Sequence, residues 1–341
     1  MRKFPVCADK LLEVNHLRTS FFTFSGEVQA VRDISFCVTH GEIVGIVGES
    51  GSGKSVACLS VMRLLQDPGK IVGGKILFED EDVLGMSKVD LRRLRNTKIG
   101  IVFQEPMTSL NPTMRVGTQI VERIRSFNKE ISVKQAREKA ERLLEIVKIP
   151  ESRRQLDAYP WEMSGGMRQR VMFAIAIACD PKLLIADEPT TALDVTIQNQ
   201  ILKLIRNLRD ETNASIILIT HDLGVVAETC ERVLVMYGGM IMEEGLVEEI
   251  FYETAHPYTI CLKRSIPNVN LVSGGRLFSI AGSPPSLIDP PKGCPFCARC
   301  DKAMKVCLEH CPPYFQLSPT HRSMCWLLDP EMPKHPGAGG L

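Results

Sequence analysis

The stretch EIVGIVGESGSGKSVACLSVMRLL, residues 42–65, decides the fold. EIVGIVG is a short apolar run with β-branched residues, bounded by glycine, and reads as a buried strand. GESGSGKS at 48–55 fits the pattern G-x-x-x-x-G-K-[ST]. A helix follows, beginning at about Lys54. A strand that passes through a glycine-rich turn into a helix offers backbone N–H groups to an anion at the positive end of the helix. The residues Gly48, Glu49, Ser50, Gly51, Ser52 and Gly53 therefore read as a phosphate cradle. Lys54 would reach the outer phosphates, and Ser55 would coordinate Mg²⁺. An unliganded glycine-rich turn would not need the strand, loop and helix together.

Outward from this stretch, KIGIVFQ (98–104), KLLIADE (182–188), ASIILIT (214–220) and RVLVMY (232–237) read as further buried strands. Helical apolar spacing falls between them, at 164–179 and 194–210. Alternating strands and helices predict an α/β fold with a largely parallel sheet. Residues 116–148 are charged and helical in pattern, which predicts an all-helical insertion, placed at about 105–163. After about residue 255, Pro and Gly accumulate and the chain reads as extended and turn-rich. The expected division is 1–255, then 256–330 as a small Cys-rich C-terminal domain, then a disordered tail at 331–341.

The bulk numbers exclude some functions. With 41 Lys+Arg against 40 Asp+Glu, no excess of positive charge supports nucleic-acid binding. The start, MRKFPVCADK, lacks the apolar region of a signal peptide. The longest apolar run, VMFAIAIAC at 171–179, is about half the ~18 residues that would span a bilayer. The chain is expected to be soluble and cytosolic, where thiols stay reduced.

Three further motifs carry chemistry. LLIADE (183–188) ends a buried strand in two carboxylates. At the carboxyl end of a parallel strand, Asp187 is suited to hold Mg²⁺ and Glu188 to deprotonate an attacking water. Read alone, either could be a helix cap. MSGGMRQR (163–170) opens a helix with a hydroxyl and free N–H groups, a second anion site or a plain Ser cap. His221 follows the strand ASIILIT directly, within reach of a terminal phosphate, although a lone His there is more often a cap or a buried residue.

The ordered set GESGSGKS, Gln104 in IVFQEP, MSGGM, LLIADEP, TALD (191–194) and His221 in ITHD resembles the ATPase subunit of ATP-binding-cassette (ABC) transporters, over roughly residues 10–255. That resemblance implies a P-loop NTPase of the ABC type with a helical insertion. It also implies a head-to-tail pair of subunits around two ATP molecules. Ser164, Gly165, Gly166 and Met167 would face the ATP of the partner, and Asp194 would lie at the seam. Glu188, His221 and Gln104 would be catalytic, and Gln104 would link the site to the helical insertion. An aromatic residue would stack on adenine, with Phe24 the candidate and Phe22 the alternative. Met163 and Met167 depart from the commonest form of the signature, LSGGQ. Ser164 and both glycines remain.

FQEPMTSLNP (103–112), SGGMRQRV (164–171), HPYT (256–259) and GSPPSLIDPPKGCPF (282–296) narrow the resemblance to the ATPases of dipeptide, oligopeptide and nickel importers. It implies a subunit that hydrolyses ATP to power peptide import, peripheral on the cytoplasmic face of the cell membrane. Its partners would be a second, paralogous ATPase, two permease subunits and, indirectly, an external binding protein, with no nucleic acid. A nickel importer of the same family is the alternative. A cassette ATPase without a transporter is a further one, but such proteins tend to carry two cassettes or a long coiled coil.

Six of the twelve cysteines crowd into GCPFCARCDKAMKVCLEHCPPYFQLSPTHRSMCW, residues 293–326. By spacing alone, Cys294, Cys297 and Cys300 resemble part of a bacterial ferredoxin run, with Cys311 before Pro312 but too far along. The importer family instead implies Cys294, Cys300, Cys307 and Cys325 as ligands, with Cys297 and Cys311 as extras. A [4Fe–4S] cluster or a zinc ion fits four such thiolates. Reduced structural thiols are the remaining reading. The expected role is structural, since a short segment without its own core needs a staple.

Overall fold

The computed structural model describes residues 9–103, 109–191, 194–266 and 278–331. The strands are β1 (Lys10–Thr23), β2 (Gly26–Thr39), β3 (Ile43–Val47), β4 (Gly69–Phe78), β5 (Glu81–Asp82), β6 (Ile99–Val102), β7 (Leu183–Asp187), β8 (Ser215–Thr220), β9 (Arg232–Tyr237), β10 (Met240–Leu246), β11 (Phe315–Gln316) and β12 (Arg322–Ser323). The principal helices are α1 (Lys54–Val61), α2 (Lys88–Thr97), α3 (Val116–Phe127), α4 (Val133–Ile146), α5 (Gly165–Ile177), α6 (Val195–Thr212), α7 (Leu223–Thr229), α8 (Val247–Tyr252) and α9 (Pro257–Arg264).

The central sheet runs in the order β11-β12-β10-β9-β3-β8-β7-β6. The five strands read from the sequence, β3 and β6 to β9, are parallel to their neighbours, while β10, β12 and β11 extend the edge antiparallel. Their interior is apolar on both faces, as parallel strands covered twice require. Ile217 and Ile219 of β8 face one apolar cluster, and Ile216 and Leu218 face the other. The second cluster includes α3, α4, α5 and α6, so the charged helices of the insertion bury Ile120, Ile124, Leu143 and Leu144 against the sheet helices. Helix α1 ends at Val61, earlier than its apolar run suggests. Arg63 turns to φ 50° and the Leu64 N–H bonds back to Leu59 O at 2.8 Å, closing the helix.

A second sheet, β2-β1-β4-β5, is antiparallel and was not read from the sequence. It covers the other cluster with Leu12, Val14, Leu17, Val31, Ile34 and Ile76.

The C-terminal segment has no core apart from the rest. Its buried Cys294, Phe296, Cys297 and Met324 belong to one apolar cluster with Val47, Val235, Tyr237 and Tyr258. Strand β12 pairs with β10, bringing Arg322 beside Glu244. Glu244 is 3% exposed and lies between two arginines. Arg322 Nε donates to it at 2.7 Å, and Arg232 donates through Nη1. Arg232 also donates to both oxygens of Glu42, at 2.8 and 3.0 Å. On the opposite face of β10, Glu243 is fully buried and bonds His321 Nε2 at 2.9 Å and the N–H groups of Ala255 and His256 at 2.7 and 3.1 Å. Each buried charge thus has a partner, as burial demands. Glu244→Ala removes the buried carboxylate that Arg232 and Arg322 share, leaving Arg232 with Glu42. It is expected to destabilise the fold by about 3–5 kcal/mol, read as a lower denaturant midpoint at unchanged slope.

Candidate functional site

The phosphate loop joins β3 to α1 at the carboxyl ends of the parallel strands. Gly48 adopts φ 153° and Gly53 φ 98°. A Cβ on Gly48 would stand 2.0 Å from Met236 O, and one on Gly53 would stand 2.4 Å from Ala30 O. The loop is wedged between β9 and β2, and only glycine fits at either point. Lys54 is 4% exposed and folds beneath its own loop. Its ammonium donates to the carbonyls of Gly48 and Glu49 at 2.8 and 2.9 Å. Burial holds its pKa below the usual lysine range, opposed by the charges of Glu188, Asp187 and Glu49.

Ser55 Oγ donates to Asp187 Oδ1 at 2.9 Å. Asp187 closes β7 and is buried; burial raises its pKa, the Ser55 hydrogen bond opposes this, and Glu188 adds repulsion. Glu188 steps out of the strand at φ 44°, yet its N–H still bonds Ile219 O at 3.0 Å. One carboxylate oxygen, Oε2, accepts from Thr191 Oγ1 at 2.9 Å and lies 3.5 Å from His221 Nδ1. His221 follows β8, the neighbour of β7. The structure therefore joins Lys54, Ser55, Asp187, Glu188 and His221 into one site spanning three adjacent strands. A buried lysine and a buried carboxylate at a glycine-rich strand-to-helix turn suit a polyphosphate with a divalent cation.

The remaining candidates lie apart from this cluster or outside the description. Gln104 is outside the described residues. Ser164 caps α5, accepting the Met167 N–H at 3.3 Å. Asp194 caps α6, accepting the Ile197 N–H at 2.9 Å. A Cβ on Gly166 would meet Ile197 at 2.9 Å, so these two helix starts pack on each other. Among the described residues no hydrogen bond joins 164–167 to 48–55. Around Gly165 there is open space. Met163 is buried in the helical core, as an aliphatic leading residue would be. Phe24 is 114% exposed at the tip between β1 and β2, so it has no core role. Phe22 is half-exposed, with the Lys70 ammonium 5.9 Å from its ring centre.

The cysteines sort by position. Cys294, Cys297, Cys300, Cys307 and Cys325 line one small pocket with His256, Phe296 and Trp326. Gly293 allows the approach: a Cβ there would lie 2.1 Å from Cys307 O, and the Cys294 N–H bonds that carbonyl at 2.8 Å. Burial pushes the Cys294 and Cys300 thiols up to about 12 and the Cys325 thiol up to about 11. Cys307 adds repulsion to each of the three, and Cys325 adds it to Cys294 and Cys300. Cys297 lies on the pocket wall and senses only Cys307 among the thiols. Cys311 lies elsewhere, near Arg32 and Asp33. Among the described residues no three or more His, Cys, Asp or Glu stand in ready metal-binding geometry.

Two residues that the sequence reading did not single out touch the phosphate loop. Tyr258 and Arg299 both reach Glu49. Each lies in a motif already quoted, HPYT and CARC, but spacing along the chain does not reveal a contact across more than two hundred residues.

Comparison with known proteins agrees with this geometry. A family model described as ABC transporter matches residues 31–191, and one described as oligopeptide/dipeptide transporter, C-terminal region, matches 242–307. The oligopeptide transport ATP-binding protein OppD of Bacillus subtilis is 51% identical over 95% of this chain and 91% of its own. The dipeptide transport ATP-binding protein DppD of Lactococcus lactis is 48% identical over 96% of this chain and 93% of its own. Among solved structures, the dimeric cassette MJ0796 bound to ADP and phosphate has a TM-score of 0.63 at 26% identity, covering 69% of this chain and 98% of that one. CbiO1 of Clostridium perfringens, part of an ABC transporter complex, has a TM-score of 0.62 at 29% identity, covering 72% and 92%. Among the described residues no helix is long and apolar enough to cross a membrane. With a phosphate loop, a buried Asp187 and an exposed His221 at neighbouring strand ends of one sheet, and half-identical relatives along nearly its whole length, this chain belongs to the family of ATP-binding subunits of oligopeptide and dipeptide ABC transporters.

Proposed function

We propose that this chain hydrolyses ATP to drive import of dipeptides or oligopeptides through membrane permease subunits, from the cytoplasmic face. The observation that carries the hydrolysis is the Ser55–Asp187 bond of 2.9 Å beside Lys54, with Glu188 and His221 at the next strand ends. The cargo class rests on the oligopeptide and dipeptide transport relatives. Residues 48–55 would cradle the phosphates, with Phe24 stacked on adenine. Ser55 and Asp187 would hold Mg²⁺, which neutralises phosphate charge when bound. Glu188 Oε2 would take the proton of the attacking water. Thr191 and His221 orient that carboxylate from the side, and Gln104 would complete the site.

A second cassette is needed to finish it. The exposed cap at Ser164, with open space at Gly165, supports a partner's phosphates meeting Ser164, Gly165, Gly166 and Met167, with Asp194 at the seam. The MJ0796 relatives form cassette dimers, which supports the same arrangement here. The partner would be a paralogue, and residues of about 105–163 would form the unit that meets the permeases. An external binding protein would deliver the peptide.

For the thiols we propose a structural [4Fe–4S] cluster on Cys294, Cys300, Cys307 and Cys325. Four thiols lining one pocket support this reading, and would equally support zinc. When bound, the group would demand deprotonated ligands and clamp residues 294–325 together. Cysteines 297 and 311 are not ligands in this reading.

Two outcomes are expected. Glu188→Gln keeps nucleotide binding but lowers steady-state phosphate release by roughly 10²–10⁴-fold, the worth of a positioned base. Lys54→Ala instead weakens binding itself in an equilibrium titration. Normal turnover by Glu188→Gln would refute the assignment. Anaerobically purified protein is expected to be brown, absorbing near ~400 nm. Iron should be lost on changing Cys294, Cys300, Cys307 or Cys325 to Ser and retained in Cys311→Ser. Zinc without iron in such preparations would replace the cluster with a zinc site.

A further inference from the structure

The C-terminal segment grips the phosphate loop at one residue, by both its backbone and its side chain. The Glu49 N–H donates to the Tyr258 hydroxyl at 2.9 Å. The Glu49 carboxylate accepts from Arg299 Nη1 at 2.7 Å. Tyr258 belongs to the first turn of α9, and Arg299 ends the short turn Cys297–Arg299, between two of the pocket cysteines in sequence.

Arg299 is fixed by more than this contact. Its Nε donates to Ala281 O at 2.9 Å, its Nη1 to the Tyr237 hydroxyl at 3.0 Å, and its Nη2 to Ile280 O at 3.0 Å. The guanidinium also stands 5.7 Å from the Tyr237 ring centre. Tyr237, Tyr258 and Phe296 pack against one another with ring centres 4.5 to 5.4 Å apart. His256 caps the same helix, accepting the Tyr258 N–H on Nδ1 at 3.0 Å. The group that holds Glu49 is therefore rigid and largely buried.

What Glu49 does for the loop gives this grip a consequence. The carbonyls of Gly48 and Glu49 are the two acceptors that hold Lys54. A shift of Glu49 moves the lysine's seat. A carboxylate at the mouth of an anion site also repels a polyphosphate unless a counter-charge neutralises it and draws it aside.

We infer that Arg299 and Tyr258 are positioning residues for nucleotide binding, holding the Glu49 carboxylate away from the phosphates and setting the shape of the loop. Linkage then makes the effect reciprocal: nucleotide in the loop stabilises the packing of the cysteine-bearing segment, and loosening that segment weakens nucleotide binding. The inference rests on the reading of residues 48–55 as an ATP site.

The test is a titration of the full chain with a fluorescent N-methylanthraniloyl-ATP and Mg²⁺, with a thermal midpoint for each variant. Arg299→Met is expected to weaken binding roughly tenfold, and Tyr258→Phe about threefold with its ring still packed. Adding Glu49→Gln to Arg299→Met should recover most of the loss, because the carboxylate that needed neutralising is gone. A staple that only supports the fold predicts no such recovery, and its absence overturns the proposal. If Arg299→Met does not fold, Arg299→Lys and Tyr258→Phe decide: unchanged affinity in both also overturns it. Wild-type protein that fails to bind the analogue would remove the ATP-site reading as well. Wild-type and variant proteins that bind equally would remove this inference alone.

Discussion

The turn between β3 and α1 has no room for a side chain at its two tightest points. Met236 O closes one side at Gly48, and Ala30 O closes the other at Gly53. That confinement fixes the rest of the site. It tucks Lys54 under the loop and brings Ser55 within 2.9 Å of Asp187. It also ties the two sheets together, because one wall of the turn is the parallel sheet and the other is β2. Glu188 and His221 need only stand at the ends of β7 and β8 to meet what the loop holds.

The molecule treats its buried charges in two ways. Around Glu243 and Glu244 each charge is answered inside the chain: Arg232 and Arg322 flank one carboxylate, and His321 and two backbone N–H groups answer the other. Such sets hold geometry and leave nothing for a ligand. At the loop the accounts stay open. Lys54 leans on neutral carbonyls, Asp187 accepts from one hydroxyl, and the buried Ser52 hydroxyl has no hydrogen-bond partner among the described residues. Incomplete neutralisation of this kind shifts pKa values and favours an arriving anion with its cation.

The C-terminal segment shows how a poorly packed stretch becomes part of a larger body. It contributes only β11 and β12 to the sheet and a few side chains to a shared apolar cluster. The ion pairs to β10 and the aromatic group of Tyr237, Tyr258 and Phe296 supply the rest. Its thiols gather where that packing brings residues 294, 297, 300, 307 and 325 around one pocket. The same packing runs on through Tyr258 and Arg299 to Glu49, so the C-terminal segment and the phosphate loop are in direct contact.

Local pattern was enough for much of this. Apolar β-branched runs located β3 and β6 to β9, and the spacing in GESGSGKS and LLIADE named the phosphate loop and its two carboxylates, because strand period and loop geometry depend on adjacent residues. The antiparallel sheet escaped that reading. In β1 the pairing with β2 shifts register between Val14 and Leu17, where His16 takes φ 50°, and such bulges break the alternation that marks a strand. The cysteines carried a family pattern, but spacing alone could not separate six thiols. The fold turned Cys311 towards Arg32 and left the other five around one pocket. What the sequence by itself determined was the nucleotide chemistry, written in short stretches whose geometry is local. What only the tertiary structure decided was which distant residues touch the loop, because the contacts of Tyr258 and Arg299 with Glu49 join positions 209 and 250 apart in the chain and exist only once it has folded back.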